Sequence, residues 1–242
     1  DKSVNRLGII GGLGPMATAY FMQLVIQMTQ AQTDQEHIEM IIYNCPSIPD
    51  RTRYIIGESD ENPVEPMIAI GKKLVEAGAG TIAIPCITAH YFHDEMEHAI
   101  GVPILHGIAE TAEYLVQRGC TRVGVMATDG TVKSGLFTKE FEKKGITCDY
   151  PSAEGQAAVM ELIYQDVKAG KPVDMDKFRS VARELFDRGA EVILLGCTEL
   201  SLIKRDNRLG EGFLDVMEVL AKCSVERYGI LKPEYTELIT KE

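Results

Sequence analysis

The chain has 242 residues, of which 45% are hydrophobic and 25% charged, and its 25 basic and 36 acidic side chains give a formal net charge of −11. This composition indicates a globular protein, built as one α/β unit or as two domains of about 120 residues each. The excess of acidic side chains, without a basic stripe, argues against a surface that binds nucleic acid. No apolar stretch reaches the roughly 18 residues that span a bilayer, so no membrane partner is expected either.

Short apolar runs alternate with stretches of helical period along the first half of the chain. The pattern predicts strands at 7–11, 39–44, 81–85 and 102–105, with helices at 17–30, 64–77 and 90–99 and a last one that ends at 118. Near-continuous apolar strands separated by helices are typical of parallel sheets covered on both faces. The expected fold class is therefore α/β.

The second half of the chain repeats the pattern of the first. RLGIIGGLG at 6–14 is matched by RVGVMATDG at 122–130, and AGAGTIAIPC at 77–86 is matched by RGAEVILLGC at 188–197. The first Arg and the closing Cys are 80 residues apart in one copy and 75 in the other. Any two βα units share some of this pattern, but the Cys that closes both copies favours an internal duplication.

The two matched cysteines, Cys86 and Cys197, end apolar strands and precede predicted helix starts. The carboxyl ends of parallel strands form the functional crevice, and a helix N-terminus lowers a thiol pKa from about 8.5 toward neutrality. Two halves related by a pseudo-twofold would place one sulfur on each side of a ligand. Inverting a carbon next to a carboxylate needs such a pair, because one group removes a proton and the other delivers one to the opposite face. Two buried packing cysteines are the alternative interpretation.

The other four cysteines, Cys45, Cys120, Cys148 and Cys223, have no counterpart in the repeat and are interpreted as packing residues. The absence of a C-x-x-C pair disfavours a zinc ribbon or a thioredoxin-type centre. A chain of this length needs no disulfides, which predicts a reduced, cytoplasmic protein. The chain begins at Asp1 without an initiator Met, so we expect that an upstream tag or targeting peptide has been removed.

Two cofactor sites can be weighed from short motifs. GLGPMA at 12–17 fits the dinucleotide fingerprint, but Pro15 lacks a backbone donor for a pyrophosphate, and the next strand ends in Asn-Cys-Pro without the expected acid. His90, His93 and Glu97 have helical spacing that could hold a metal, although we expect His93 to face solvent. The sequence therefore predicts neither a nicotinamide cofactor nor a metal.

Four motifs follow one another in an order that carries a family resemblance. They are GGLGPMAT at 11–18, PDRT at 49–52, PCITAH at 85–90 and GCTEL at 196–200. Together they resemble the aspartate/glutamate racemase family over residues 6–221. The resemblance implies a cofactor-independent enzyme, without pyridoxal phosphate or metal, that interconverts L- and D-aspartate or a similar acidic amino acid. Its small-molecule substrate would be an acidic amino acid or a dicarboxylate, and Cys86 and Cys197 would be the two acid/base residues.

The resemblance also implies an architecture of two similar parallel-sheet α/β domains, related by a pseudo-twofold, with the active site in the cleft between them. The first domain would comprise 1–100 and 210–228, the second 101–209, and the tail 229–242. In this family arrangement the last strand of each half pairs with the other domain, so that 102–105 would join the second sheet and 213–216 the first. Family members are usually dimers, which predicts a homodimer.

The resemblance assigns substrate contacts to eight positions: Leu13, Gly14, Arg51, Ile87, Thr88, Thr128, Thr131 and Thr198. Arg51 matches the arginine that holds the side-chain carboxylate by a bidentate pair. Thr88 and Thr198, with the amides after each cysteine, would hold the α-carboxylate. Leu13 and Gly14, in the glycine-rich loop of the first half, would approach the ligand through their backbone. Thr128 and Thr131 belong to the equivalent loop of the second half.

Three positions depart from the family pattern. Ile87 stands where Asn is common, Ala158 where a second cation is expected, and Leu220 ends a segment that lacks the usual Thr and His. An apolar side chain cannot hydrogen-bond a carboxylate or an ammonium, so polar recognition is reduced, and Arg53 is a candidate to compensate. These departures leave open a racemase or epimerase of a less polar amino acid, a catalytically silent carboxylate-binding protein, or a decarboxylase or cis–trans isomerase on this fold.

Overall fold

Two parallel β-sheets, one from each half of the chain, organise the fold. The computed structural model describes residues 6–242, so the first five residues of the predicted first domain lie outside the described residues. The strands are β1 (Arg6–Gly11), β2 (Met40–Asn44) and β3 (Ala79–Ala83) in the first half, and β4 (Arg122–Met126), β5 (Thr147–Asp149), β6 (Val192–Leu195) and β7 (Phe213–Asp215) in the second. The strand orders are β2-β1-β3 and β5-β4-β6-β7, and every pairing is parallel.

Helices follow almost every strand. They are α1 (Pro15–Met28), α2 (Arg51–Ile55), α3 (Val64–Glu76), α4 (His93–Ile100), α5 (Gly107–Val116), α6 (Asp129–Ser134), α7 (Leu136–Glu142), α8 (Ala153–Glu161), α9 (Met175–Asp187), α10 (Thr198–Asp206) and α11 (Val216–Tyr228). Short 3-10 turns cover Asp34–Glu36, Thr88–Phe92 and Pro233–Thr236, and a π-helical turn covers Leu162–Val167. Within residues 6–242, no helix has the length and apolar character needed to cross a bilayer.

The two sheets repeat one plan. β1 lies between β2 and β3, and β4 lies between β5 and β6, so the strands that carry the matched sequence copies occupy the same places. The apolar strands are buried on both faces. Side chains on one face of each sheet pack together in a core that the two halves share, and side chains on the other face form a separate core in each half. The predicted α/β fold with two parallel sheets is confirmed.

The predicted exchange of the last strand between the halves is wrong. Ile104 forms a parallel bridge with Ile82, so the segment at 102–105 stays beside the first sheet. β7 pairs with β6, in the second sheet. Each segment follows the preceding helix after only a short connection, and sequential elements joined in this way usually remain neighbours. The halves contact instead through helices, because α11 packs on α1 and α5.

Gly12 has a conformation and surroundings that only glycine tolerates. Its φ is +99°, and an added Cβ would lie 2.4 Å from the carbonyl carbon of Cys45. Gly57 provides a matched control, since its φ is +85° but nothing lies within 4 Å of an added Cβ. We expect Gly57→Ala to cost about 1 kcal/mol from backbone strain, and Gly12→Ala to cost about 1–3 kcal/mol more, because two backbones must move apart. Equal losses of unfolding free energy in urea would contradict this contact.

A buried carboxyl group ties β7 to α10. Asp215 is fully buried, and its Oδ1 accepts hydrogen bonds from Ser201 Oγ at 2.6 Å and from the Met217 backbone N–H at 3.0 Å. Burial, followed by the nearby Glu218 carboxylate, raises the pKa of Asp215 from 3.8 to about 7. Below about pH 7 the carboxyl that caps α11 is therefore held largely in its protonated form in the folded chain.

This raised pKa has a consequence for stability. Between about pH 4 and about pH 7 the unfolded chain loses the Asp215 proton while the folded chain keeps it, so the unfolding free energy should fall as pH rises through this window. The expected loss is a few kcal/mol. Asp215→Asn should remove this slope from urea-unfolding measurements made across the window. A slope that is the same in the variant and the parent would contradict the assignment.

Candidate active site

Cys86 and Cys197 line one small cavity where the carboxyl ends of the two sheets meet. Cys86 follows β3 and Cys197 follows β6, and each is 6% exposed. The cavity has a volume of about 20 Å³. Its lining consists of Leu13, Arg51, Thr52, Cys86, Ile87, Thr88, Thr128, Tyr164, Lys168, Cys197, Thr198 and Glu199. The duplicated strand ends thus bring the two matched sulfurs to a common space.

Most of the positions expected from the sequence lie in this inner cavity. Six of the eight expected substrate contacts line the cavity together with both cysteines: Leu13, Arg51, Ile87, Thr88, Thr128 and Thr198. Gly14 lines an adjoining outer cavity instead. Thr131 is fully buried and is not among the residues that line the cavity. Its contribution is indirect, through hydrogen bonds to two other threonines.

Three threonine hydroxyls form a buried network across the two halves. Thr88 Oγ1 and Thr128 Oγ1 are 2.8 Å apart, and Thr131 Oγ1 is 3.2 Å from each of them. Thr128 caps α6, because its Oγ1 accepts a hydrogen bond from the Thr131 backbone N–H at 3.3 Å. The cap fixes the Thr128 hydroxyl in place, and its partner Thr88 lies in the loop after Cys86. The network therefore holds both cysteine-bearing halves at one side of the cavity.

Arg51 brings a buried positive charge to the cavity. It begins α2, which Asp50 caps through a hydrogen bond from the Arg53 backbone N–H at 2.8 Å, and its Nη1 donates to the Ile48 and Pro49 carbonyl oxygens. Burial lowers the pKa of Arg51, but the Cys86 sulfur and the Asp50 carboxylate outweigh that effect and raise it. Its Nε has no hydrogen-bond partner, so the guanidinium retains donor capacity. Arg53, the candidate to compensate for Ile87, is exposed on the same helix and does not line the cavity.

A second cation lines the cavity at Lys168, which sequence reasoning missed. Lys168 ends the π-helical turn, where its backbone N–H donates to the Ile163 carbonyl at 2.9 Å. Burial lowers its pKa, but the Glu199 carboxylate and then the Cys197 sulfur raise it, with a net upward shift. The family pattern places this cation at position 158, ten residues earlier, but that residue is Ala158, which lines a surface groove. Position 158 carries no cation, as the sequence showed, and Lys168 brings a second cation to the cavity from further along the chain.

The electrostatics of Cys197 also differ from the sequence expectation. Cys197 occupies the N-cap position of α10, at the predicted helix start. Burial and then the Glu199 carboxylate raise the pKa of its thiol, while Lys168 lowers it by less. Removal of the sulfur from water outweighs the N–H groups of the helix N-terminus, because a thiolate loses more solvation than a thiol. In this structure Cys197 is therefore a neutral thiol that can donate a proton.

His90 supports the Cys86 loop from behind the cavity. Burial lowers the pKa of His90 to about 3, so the neutral ring donates its Nδ1–H to the Cys86 carbonyl oxygen at 2.9 Å. His93 is buried rather than solvent-facing, and its Nε2 lies 2.7 Å from the Ile104 carbonyl oxygen. Within the described residues, no group of three or more His, Cys, Asp or Glu side chains is placed to hold a metal ion.

The other two departures from the family pattern have separate locations. Ile87 is buried and lines the cavity, where it presents an apolar wall. Leu220 belongs to the core shared by the two halves and does not line the cavity. Sequence reasoning also missed Tyr164, Thr52 and Glu199. Thr52 and Glu199 lie within the PDRT and GCTEL motifs, whereas no motif marks Tyr164. Of the three departures from the family pattern, only the one at position 87 lines the cavity.

Residues 10–223 match the family model described as Asp/Glu/hydantoin racemase, and the chain belongs to this family. The family match and the racemases among its relatives identify the protein as an isomerase, specifically a racemase.

Individual relatives agree with this family membership. The broad specificity amino-acid racemase RacX of Bacillus subtilis (strain 168) is 28% identical over 230 residues, which cover 92% of this chain and 97% of the relative. The solved structure of Picrophilus torridus aspartate racemase superposes with a TM-score of 0.80 at 32% identity, and covers 95% of this chain and 97% of that one. A glutamate racemase from Francisella tularensis subsp. tularensis SCHU S4, with a TM-score of 0.63 at 17% identity over 93% of this chain and 81% of that one, shares the fold.

Proposed function

We propose that the protein interconverts the L and D forms of aspartate, or of a similar acidic amino acid, by two-base proton transfer between Cys86 and Cys197. The observation that carries the proposal is that both thiols line one cavity together with two cations, Arg51 and Lys168. An acidic amino acid has two carboxylates, and each cation can pair with one of them. The likeness to an aspartate racemase structure supports the same substrate class.

In the proposed reaction one cysteine, as thiolate, removes the Cα proton from its side of the substrate. The electron pair left on Cα delocalises into the α-carboxylate. The other cysteine, as thiol, then donates its proton to the opposite face of Cα, and the configuration is inverted. The first cysteine ends as a thiol and the second as a thiolate, so the same pair is ready for the reverse reaction. Burial keeps Cys197 protonated in this structure, which suits this cysteine to the donor role.

Stabilisation of the carbanion would come from groups already ordered around the cavity. Arg51 and Lys168 supply positive charge, and the hydroxyls of Thr88 and Thr198 supply hydrogen-bond donors beside the two sulfurs. A preorganised donor of this kind contributes about 3 kcal/mol to a transition state. We propose that these groups act without a cofactor, and that the chain works as a homodimer.

The substrate proposal is tested with a panel of L- and D-amino acids followed by chiral chromatography. Aspartate or glutamate should reach a racemic mixture fastest, because only acidic amino acids use both cations. Binding of acidic amino acids without inversion of any amino acid would overturn the proposal in favour of a carboxylate-binding protein. Release of CO₂, or turnover of an unsaturated diacid, would identify the decarboxylase or cis–trans isomerase alternative.

A second candidate, racemisation of a less polar amino acid, has a specific observation in its favour. The outer cavity next to the site has a volume of about 400 Å³, and Pro15, Met16, Ile48 and Leu202 give it apolar walls. Such walls suit a longer, apolar side chain. The similarity to a broad specificity amino-acid racemase points the same way. Faster racemisation of neutral than of acidic amino acids in the same panel would favour this candidate.

A further inference from the structure

The inner cavity that both thiols line is too small for a substrate in this structure. Its volume of about 20 Å³ is that of little more than one water molecule, which excludes an amino acid. The outer cavity, at about 400 Å³, is large enough for one. Arg51, Lys168 and Glu199 line both spaces and therefore form the boundary between them. A substrate that reaches the sulfurs must pass this boundary.

An ion pair between Lys168 and Glu199 occupies that boundary. The Glu199 carboxylate is 4% exposed and contacts Lys168 Nζ, while its other oxygen accepts a hydrogen bond from Thr198 Oγ1 at 3.1 Å. Gly14 lies opposite, since a Cβ at this position would be 3.6 Å from both Glu199 Oε1 and Lys168 Nζ. The pair thus fills the space between the glycine-rich loop and α10.

The ion pair between Lys168 and Glu199 is the same kind of contact that a substrate carboxylate would make with Lys168. The Glu199 carboxylate pairs with Lys168, one of the two cations that line the cavity. Glu199 is one residue from Thr198 and two from Cys197 in the sequence. A carboxylate that arrives from the outer cavity can replace it, so that one ion pair breaks while an equivalent one forms. A molecule without a carboxylate has no such exchange and would leave Lys168 buried without its anion, which is unfavourable.

We propose that Glu199 is an internal stand-in for the substrate carboxylate, which closes the passage to the two thiols until a carboxylate ligand displaces it from Lys168. The proposal rests on the proposed function only in taking the ligand to be a carboxylate. Glu199 then lowers affinity, because every ligand must compete with it. It also restricts entry to molecules that can take its place on Lys168.

The test compares Glu199→Gln, Lys168→Gln and a matched control in the full-length chain. The control is Glu218→Gln, because the Glu218–Lys204 ion pair has nearly the same burial, with side chains 8% and 22% exposed against 4% and 26%, but does not line either cavity. Binding of succinate, a dicarboxylate without an amino group, is measured by calorimetry. Alkylation of Cys86 and Cys197 by iodoacetamide is measured by peptide mass spectrometry.

We expect Glu199→Gln to bind succinate about tenfold more tightly and Lys168→Gln to bind it about tenfold more weakly, with Glu218→Gln within about twofold of the parent. Both boundary variants should accelerate alkylation of the two cavity thiols. Loss of Lys168 removes a cation that favours the Cys197 thiolate, so faster alkylation in that variant reports access rather than thiol charge.

The proposal is overturned if Glu199→Gln binds succinate no more tightly than the parent, or if both boundary variants are alkylated as slowly as the parent. Lys168→Gln gives an independent alkylation result if the first variant does not fold. Neither readout requires turnover. A protein that fails to racemise any amino acid would refute the proposed function while leaving the displacement of Glu199 measurable.

Discussion

Replacement of either Cys86 or Cys197 by serine is expected to reduce racemisation by about 10²–10⁴-fold, whichever enantiomer is supplied. Each reaction direction needs one sulfur to accept a proton and the other to donate one, so the loss of either blocks both directions. A serine hydroxyl is a much weaker acid than a thiol and cannot take over either role at neutral pH. Initial rates from L and from D substrate, measured by chiral chromatography, test the expectation.

Cys120→Ser is the matched control for these variants. Cys120 is also buried, with 8% exposure against 6% for each cavity cysteine, but it packs in the shared core and does not line the site. Its rate should stay close to that of the parent. A cavity-cysteine variant that keeps the parental rate in one direction would contradict the two-thiol account, because that direction would then need only one sulfur.

Replacement of Arg51 by lysine is expected to lower kcat/KM for aspartate by about 30- to 1000-fold, and that for alanine by less than about tenfold. The estimate corresponds to about 2–4 kcal/mol, the order of the cost of disrupting a buried, hydrogen-bonded charge pair. Lysine keeps the charge but not the planar fork that holds a carboxylate through two parallel hydrogen bonds. Alanine has no distal carboxylate, so it should be affected less.

Arg53→Lys serves as the control for Arg51, because Arg53 lies two residues further on the same helix and is exposed. Aspartate and alanine should both react with Arg53→Lys at nearly the rate of the parent. An equal loss for aspartate and alanine in Arg51→Lys would contradict the assignment. It would indicate that Arg51 holds a group common to both substrates.

The sequence was most informative where function requires a residue at the end of a strand. Cys86 and Cys197 could be found because a duplicated apolar run ends in each, and parallel strands must end at one edge of a sheet. The glycine-rich loop and the threonines at 88, 128 and 198 followed from their places in the motifs. Burial of the strands on both faces was evident from their continuous apolar character.

What the sequence did not reveal depends on packing between distant segments. Lys168 reaches the cavity because a π-helical turn shifts the end of its helix, and no periodicity marks such a turn. The upward shift in the Cys197 pKa comes from the completeness of its burial beside Glu199, whereas the helix N-terminus alone suggested the opposite direction. The partner of each last strand was likewise decided by short connections within each half, which overrode the family expectation.

The most direct test of the two-thiol mechanism is the fate of the Cα hydrogen during early turnover in D₂O. With one enantiomer of aspartate supplied, the account predicts that the newly formed opposite enantiomer carries deuterium, while the unreacted substrate keeps its hydrogen. This pattern arises because the donated hydrogen comes from a cysteine that exchanges with solvent, not from the cysteine that removed the original one. A product that retains the substrate hydrogen would show that a single group removes and returns the same proton, and would contradict the account.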